Sequence, residues 1–148
     1  MSGRLMRLVT HLGGTWATVG PGIVLIVLGG PERAVGFAVL FANATSNLVV
    51  QILKRLVARP RPVNPDGSVA ALVDLPDPFS FPSGHAQAST AVAATIAYAY
   101  PLLAPFAITL AGIVSASRVA LRVHYASDVL AGALLGIAGA AAGAAIFL

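Results

Sequence analysis

Long uncharged blocks separated by short polar islands set the pattern of this chain. Leu8 to Pro31 carries no Lys, Arg, Asp or Glu, Ala34 to Leu53 is a second block of twenty residues, Ala86 to Ser117 a third of thirty-two, and Val129 to Leu148 a fourth. At ~1.5 Å per residue, about twenty residues cross the ~30 Å hydrocarbon core of a bilayer. The third block is too long for one crossing, about 48 Å as a straight helix. Tyr100, Pro101 and Pro105 near its middle predict a hairpin of two spans, roughly 84–100 and 103–120. Five spanning helices are therefore expected, in an all-α, multi-pass transmembrane bundle formed by a single domain, residues 1–148.

Local chemistry refines the spans. Gly13, Gly14, Gly20, Pro21 and Gly22 predict a break or kink in the first helix near Pro21, with Trp16 at a membrane interface and His11 as an interfacial polar residue. Arg4 and Arg7 ahead of an apolar run resemble a signal peptide. The run continues through Gly and Pro without a clear small-residue cleavage site, which favours a retained span. Asn43, Asn47 and Gln51 recur every four residues and form one stripe, expected to face other helices. Gly132 with Gly136, and Gly139 with Gly143, have the small-xxx-small spacing of close helix packing in lipid. Residues 63–81, with Pro65, Pro76 and Pro78, form the long polar connection. A short helix is expected at 68–72, and Asp74 and Asp77 are expected to be solvated acids.

Composition supports lipid as the solvent: hydrophobic residues make up 57% of the 148 and charged residues 9%, against roughly 25% charged in soluble domains. The absence of cysteine excludes disulfides and thiolate metal sites. The net charge is +4, and eight of the nine basic residues fall in three groups: Arg4 with Arg7, Lys54 to Arg61, and Arg118 with Arg122. No aromatic-interleaved basic patch points to nucleic acid; clustered charge beside apolar spans fits an anionic lipid headgroup.

Three polar islands carry the candidate chemistry. In Ser117 to Asp128, His124 and Asp128 are four apart, so on a helix they share a face and the carboxylate can hold one imidazole N–H. The other ring nitrogen is then free to attack, and Arg118 supplies charge for an anion. Lys54, at a helix end, and Arg61, in the extended Arg59-Pro60-Arg61-Pro62 segment, can reach the same anion. In Pro82-Ser83-Gly84-His85, Ser83 is an expected N-cap, the helix start with Gly84 suits phosphate, and His85 is placed to donate a proton. The hairpin is needed to return Arg118 to the membrane face that holds His85.

The pattern K-x6-R-P, P-S-G-H, S-R-x5-H-x3-D, read here as Lys54 to Pro62, Pro82 to His85 and Ser117 to Asp128, closely resembles the type 2 phosphatidic acid phosphatase superfamily, the lipid phosphate phosphatases. The resemblance implies a metal-independent phosphatase with no cofactor. His124 would form a phosphohistidine, Asp128 would fix its tautomer, and His85 would protonate the leaving group. Lys54, Arg61 and Arg118, with Ser83 and the Gly84 amide, would hold the phosphate oxygens. It also implies a membrane lipid phosphate as substrate and a bacterial cytoplasmic membrane as location. Larger bacterial relatives often have six spans, one more than expected here. Vanadium haloperoxidases share the cradle but are soluble, and a non-catalytic binder of anionic lipids has no use for His85, His124 and Asp128 together. An odd number of spans places the N-terminus and the site on one membrane face.

Overall fold

The computed structural model describes residues 3–75 and 77–148, with residues 3–5 and 7 described by their backbone only. Pro76 and the side chains of Arg4 and Arg7, which figure in the sequence reading, lie outside that description. Six α-helices follow one another among the described residues: α1 (Gly3–Thr10), α2 (Thr15–Leu28), α3 (Glu32–Val57), α4 (Gly84–Ala99), α5 (Ala104–Ala120) and α6 (Ala126–Phe147). The five apolar helices α2 to α6 match the five expected spans. Of these, α3, α6 and α5 with its leading 3-10 turn are long and apolar enough to cross a membrane unaided, while α2 and α4 are shorter.

Each boundary has a local cause. Glu32 in the first turn of α3 and Lys54 and Arg55 in its last turn complement the helix dipole. The helix stops where Ala58 enters the left-handed region at φ 47° and returns its N–H to the Lys54 carbonyl. Ser83 caps α4, its Oγ accepting from the Ala86 N–H at 3.4 Å. Pro101 and Pro105 mark the α4–α5 turn, close to the predicted hairpin. Tyr125 precedes α6, and its N–H donates to Asp128 Oδ2 at 2.8 Å.

Glycine faces let the helices approach. A Cβ at Gly139 would stand 2.6 Å from the Ala42 carbonyl oxygen of α3, and one at Gly143 would stand 2.7 Å from that of Ala38. Gly132 and Gly136 meet the Ser83 and Gln87 carbonyls of α4 in the same way. The two small-residue pairs read from the sequence thus serve different neighbours, and α6 is wedged between α4 and α3. In the α2–α3 hairpin, Gly36 plays this part against the Gly22 carbonyl, at 2.6 Å. The outer surface stays apolar, with Leu102 96% and Trp16 89% exposed, as a lipid-facing surface requires. Between helices the polar links are few: Gln87 Nε2 donates to Ser46 Oγ at 2.6 Å, joining α4 to α3.

Two local expectations fail. The first span breaks at 11–14, not at Pro21, which α2 carries inside it. Gly14 is extended at ψ 166°, and both the N–H and Oγ1 of Thr18 then bond the Gly14 carbonyl, at 3.1 and 3.0 Å, so α2 starts afresh there. Residues 68–72 form no helix. Asp66 accepts from the N–H and the hydroxyl of Ser68 at 2.9 and 2.6 Å, and this turn competes with a helix start; Val63 then bridges to Val69.

If the glycine contacts set the bundle, Gly136→Leu should destabilise the protein by about 3 kcal/mol or more. Gly112→Ala, where a Cβ meets nothing within 4 Å, should leave stability unchanged or raised. Thermal unfolding in detergent micelles reads both.

Candidate active site

The antiparallel order of the helices brings the C-terminal ends of α3 and α5 and the N-terminal starts of α4 and α6 to one end of the bundle. Lys54, Arg118, His85 and Asp128 ride on those ends, and the loops 58–83 and 121–125 add Arg61 and His124. Lys54, Arg61, Gly84, His85, Arg118 and His124 line one cavity of about 740 Å³. Of the eight residues singled out from the sequence, Ser83 and Asp128 stand behind this wall. Ser83 is fully buried as the cap of α4, its N–H bonded to the Asp128 carbonyl at 2.9 Å.

The three cations are deeply buried, Lys54 at 6%, Arg61 at 4% and Arg118 at 3% exposure. Arg61 is held on two sides: Nη1 donates to the Val123 carbonyl at 2.9 Å, Nε to the Asp77 carbonyl at 3.1 Å and Nη2 to Asp77 Oδ1 at 3.2 Å. Lys54 Nζ donates to Asp77 Oδ2 at 2.6 Å. Arg118 donates through Nη1 to Thr10 Oγ1, and its buried Nε has no hydrogen-bond partner. Burial lowers the Arg61 pKa from its ordinary value, with Asp77 acting in the opposite sense. Asp77 is therefore not the solvated acid expected. An Asx-type bond from the Phe79 N–H to Asp77 Oδ1, at 2.9 Å, turns its carboxylate toward the two cations. Burial raises its pKa, but the bond from Lys54 and the charges of Lys54 and Arg61 outweigh this and hold it below the usual carboxylate range.

His124 is 4% exposed and lies in the loop before α6, not on a helix shared with Asp128. Arg122 at φ 55° turns the chain just ahead of it. Its Nδ1 sits 2.6 Å from the Ser80 carbonyl oxygen, whereas Asp128 Oδ2 is 3.7 Å away. A carbonyl only accepts, so Nδ1 carries the proton and Nε2 keeps its lone pair. The direct carboxylate–imidazole hydrogen bond expected from the four-residue spacing is absent. Asp128 is engaged elsewhere: Oδ2 takes the Tyr125 N–H and Oδ1 takes Arg59 Nη1, both at 2.8 Å. Burial first, then the charges of Arg61 and Arg118, push the His124 pKa down to about 3.

Sequence reasoning passed over Arg59, Asp77, Ser80 and Thr10. Arg59 spans Asp128 and the Tyr125 ring, 4.2 Å from its centroid. The one signal for Arg59 was its place in the Arg-Pro-Arg-Pro run; Ser80 contributes a backbone carbonyl, which no side-chain pattern reveals. The amide stripe divides. Asn43 is buried and joins helices as expected, donating to the Thr18 carbonyl at 3.4 Å. Asn47 and Gln51 bond to each other at 3.3 Å and line the cavity that holds Lys54. A second cavity of about 540 Å³, between Thr10, His11 and residues 71–74, shares His85 and Arg118 with the first.

Helical bundle and apolar exposed side chains together define a membrane-embedded protein whose buried cations gather at one end. The chain belongs to the PAP2 superfamily, whose pattern matches residues 35–147. It is 38% identical over 118 residues to decaprenylphosphoryl-5-phosphoribose phosphatase of Mycobacterium tuberculosis, a match that covers 77% of this chain and 64% of that protein. Phosphatidylglycerophosphatase B of Bacillus subtilis is 34% identical over 147 residues, covering 90% of this chain and 69% of the relative. The crystal structure of the PAP2-type phosphatidylglycerolphosphate phosphatase from Bacillus subtilis superposes with a TM-score of 0.76 at 27% identity, covering 97% of this chain and 75% of that one. Aquifex aeolicus LpxE shares the fold at a TM-score of 0.84 and 21% identity, over 97% and 85% of the two chains. The chain spans slightly less than two thirds of the mycobacterial relative's length.

The depressed His124 pKa has a sign. Its unfolded counterpart, near 6.5, binds a proton that the folded imidazole refuses, so its contribution to stability is present above pH 6.5 and is lost as the pH falls toward 3. In the ligand-free protein, ¹⁵N NMR of labelled histidine should show one ring held as the Nδ1–H tautomer, unchanged between pH 8 and 5. Titration of all histidine signals near pH 6.5 would contradict the geometry at Ser80.

Proposed function

We propose that this chain, acting as one domain, hydrolyses a phosphate mono- or diphosphate ester on a membrane lipid, without a metal, through a phosphohistidine. The observation that carries the reading is the convergence of Lys54, Arg61, Arg118, His85 and His124 on one cavity at one end of the bundle. In this mechanism His124 Nε2 attacks phosphorus, and the bond from phosphorus to the leaving oxygen breaks. His85 gives its proton to that oxygen. Lys54, Arg61 and Arg118, with the Gly84 amide, stabilise charge on the equatorial oxygens. Guanidinium forks suit that task because they donate in parallel to phosphate. Ser83 acts from behind, by fixing the helix start that presents Gly84.

The positive charge that develops on His124 spreads through its Nδ1–H to the Ser80 carbonyl and to the Asp128 carboxylate beyond it. His85, now neutral, accepts a proton from water, whose oxygen attacks the phosphohistidine. Inorganic phosphate leaves and His124 returns to its starting form. Candidate substrates are phosphatidic acid, phosphatidylglycerol phosphate, polyprenyl diphosphates and polyprenyl-linked sugar phosphates, classes that include those named in the relatives. The bacterial cytoplasmic membrane is the proposed location.

A panel of these four lipids in mixed micelles, assayed for inorganic phosphate, tests the reading. His124→Ala should lower release by at least about 10³-fold on every lipid the wild type accepts, and vanadate should inhibit competitively. Unchanged release by the variant would remove the nucleophile; a wild type that binds these lipids and releases nothing would leave a lipid-binding protein.

A further inference from the structure

One side chain in the cradle has the wrong sign for a phosphate site. Asp77 lines the same cavity as the cations and bonds to two of the three, Lys54 at 2.6 Å and Arg61 at 3.2 Å. Its own side chain is 28% exposed, so it is no buried structural ion; it sits at the cavity wall. The carboxylate does not exhaust the donors. Lys54 spends one of its three N–H groups on it. Arg61 spends three of its five N–H groups, one of Nη2 on the carboxylate, Nε on the Asp77 backbone carbonyl and one of Nη1 on the Val123 carbonyl, and keeps two. Arg118 lines the same cavity and spends Nη1 on the Thr10 hydroxyl. A phosphate therefore finds donors while Asp77 stays where it is.

What Asp77 changes is the charge. Arg59 and Asp128 neutralise each other beside the cavity. Counted without the proton that His85 carries to the leaving oxygen, three cations facing one carboxylate leave the cradle at a fixed net +2. A phosphomonoester carries roughly −1.5 to −2 at neutral pH, so it and the cradle cancel. A diphosphate ester brings one further negative charge into a site where the low dielectric magnifies the mismatch.

We propose that Asp77 is a specificity-determining residue: a permanent counter-ion that trims the cradle to the charge of a phosphomonoester and sets the enzyme against diphosphates. This rests on the hydrolase reading above and narrows its substrate class to lipid monophosphates. Asp77 touches no reacting atom in this scheme. It acts by repulsion, which grows with the charge of the ligand, and like-charge placement against an unwanted ligand is an established route to selectivity.

Tail-matched substrates test it: farnesyl phosphate and farnesyl diphosphate in detergent micelles, with kcat/KM measured for wild type, Asp77→Asn and Asp77→Glu. Wild type should favour the monophosphate. Asp77→Asn should move the ratio toward the diphosphate by about tenfold, the size of effect one nearby charge exerts at a site of intermediate dielectric. Asp77→Glu should keep the wild-type preference. A ratio within twofold of wild type in Asp77→Asn, or an equal loss on both substrates, overturns the proposal and marks Asp77 as a prop for Lys54 and Arg61. A binding measurement on the unaltered protein covers a variant that fails to fold. Inorganic phosphate should raise the wild-type melting temperature with an apparent affinity at least equal to that of inorganic diphosphate, and tighter binding of diphosphate overturns the proposal. If wild type hydrolyses neither ester, the hydrolase reading fails, while this binding comparison still decides the charge argument.

Discussion

Buried positive charge is the constraint on which this molecule turns. Lys54, Arg61 and Arg118 are each at least nine-tenths out of solvent, at the end of a bundle whose helices expose many large apolar side chains. An unpaired charge in such a place is costly. The structure answers with a carboxylate, two backbone carbonyls and a threonine hydroxyl, all but the hydroxyl drawn from loops. The loop 58–83 supplies two of the four, both from Asp77, which gives a role to the polar, proline-rich chain that interrupts an otherwise helical protein. The same loop lays the Ser80 carbonyl against His124.

The helices matter to this arrangement through their ends. Small residues let α6 lie against both α3 and α4, so that the start of α6 and the start of α4 meet, with Ser83 N–H bonded to the Asp128 carbonyl. The α4–α5 turn brings Arg118 back to that same end. Lipid supplies no hydrophobic push between helices, so close backbone contact has to do the holding. The glycines that look like weak helix formers are for that reason the residues that fix where the polar ends meet.

Much of this was legible in the sequence because bilayer thickness, proline and charge act locally. The five apolar helices, the hairpin at Tyr100 to Pro105 and the three islands all follow from such rules. The failures have a common origin in competition between nearby options. Pro21 looked like the break, but the Gly13–Gly14 pair was the easier place to turn. A helix at 68–72 lost to the Asp66–Ser68 turn. The four-residue spacing of His124 and Asp128 implied a shared helix face, yet α6 begins only at Ala126, and the imidazole takes a backbone carbonyl instead. Asp77 and Arg59 were invisible as partners because each meets charges far along the chain, 23 residues from Lys54 and 69 from Asp128. No local periodicity encodes such pairings.

The peptide unit on either side of Val123 has a consequence of its own. Its carbonyl receives Arg61, and its N–H reaches the Arg118 carbonyl at 3.2 Å. The residue just ahead of the imidazole is thus clamped between an arginine from one loop and the last turn of α5. Ring and guanidiniums share a single mount, so displacement of one is displacement of all, and the unit responds to damage as a whole instead of losing its parts in proportion.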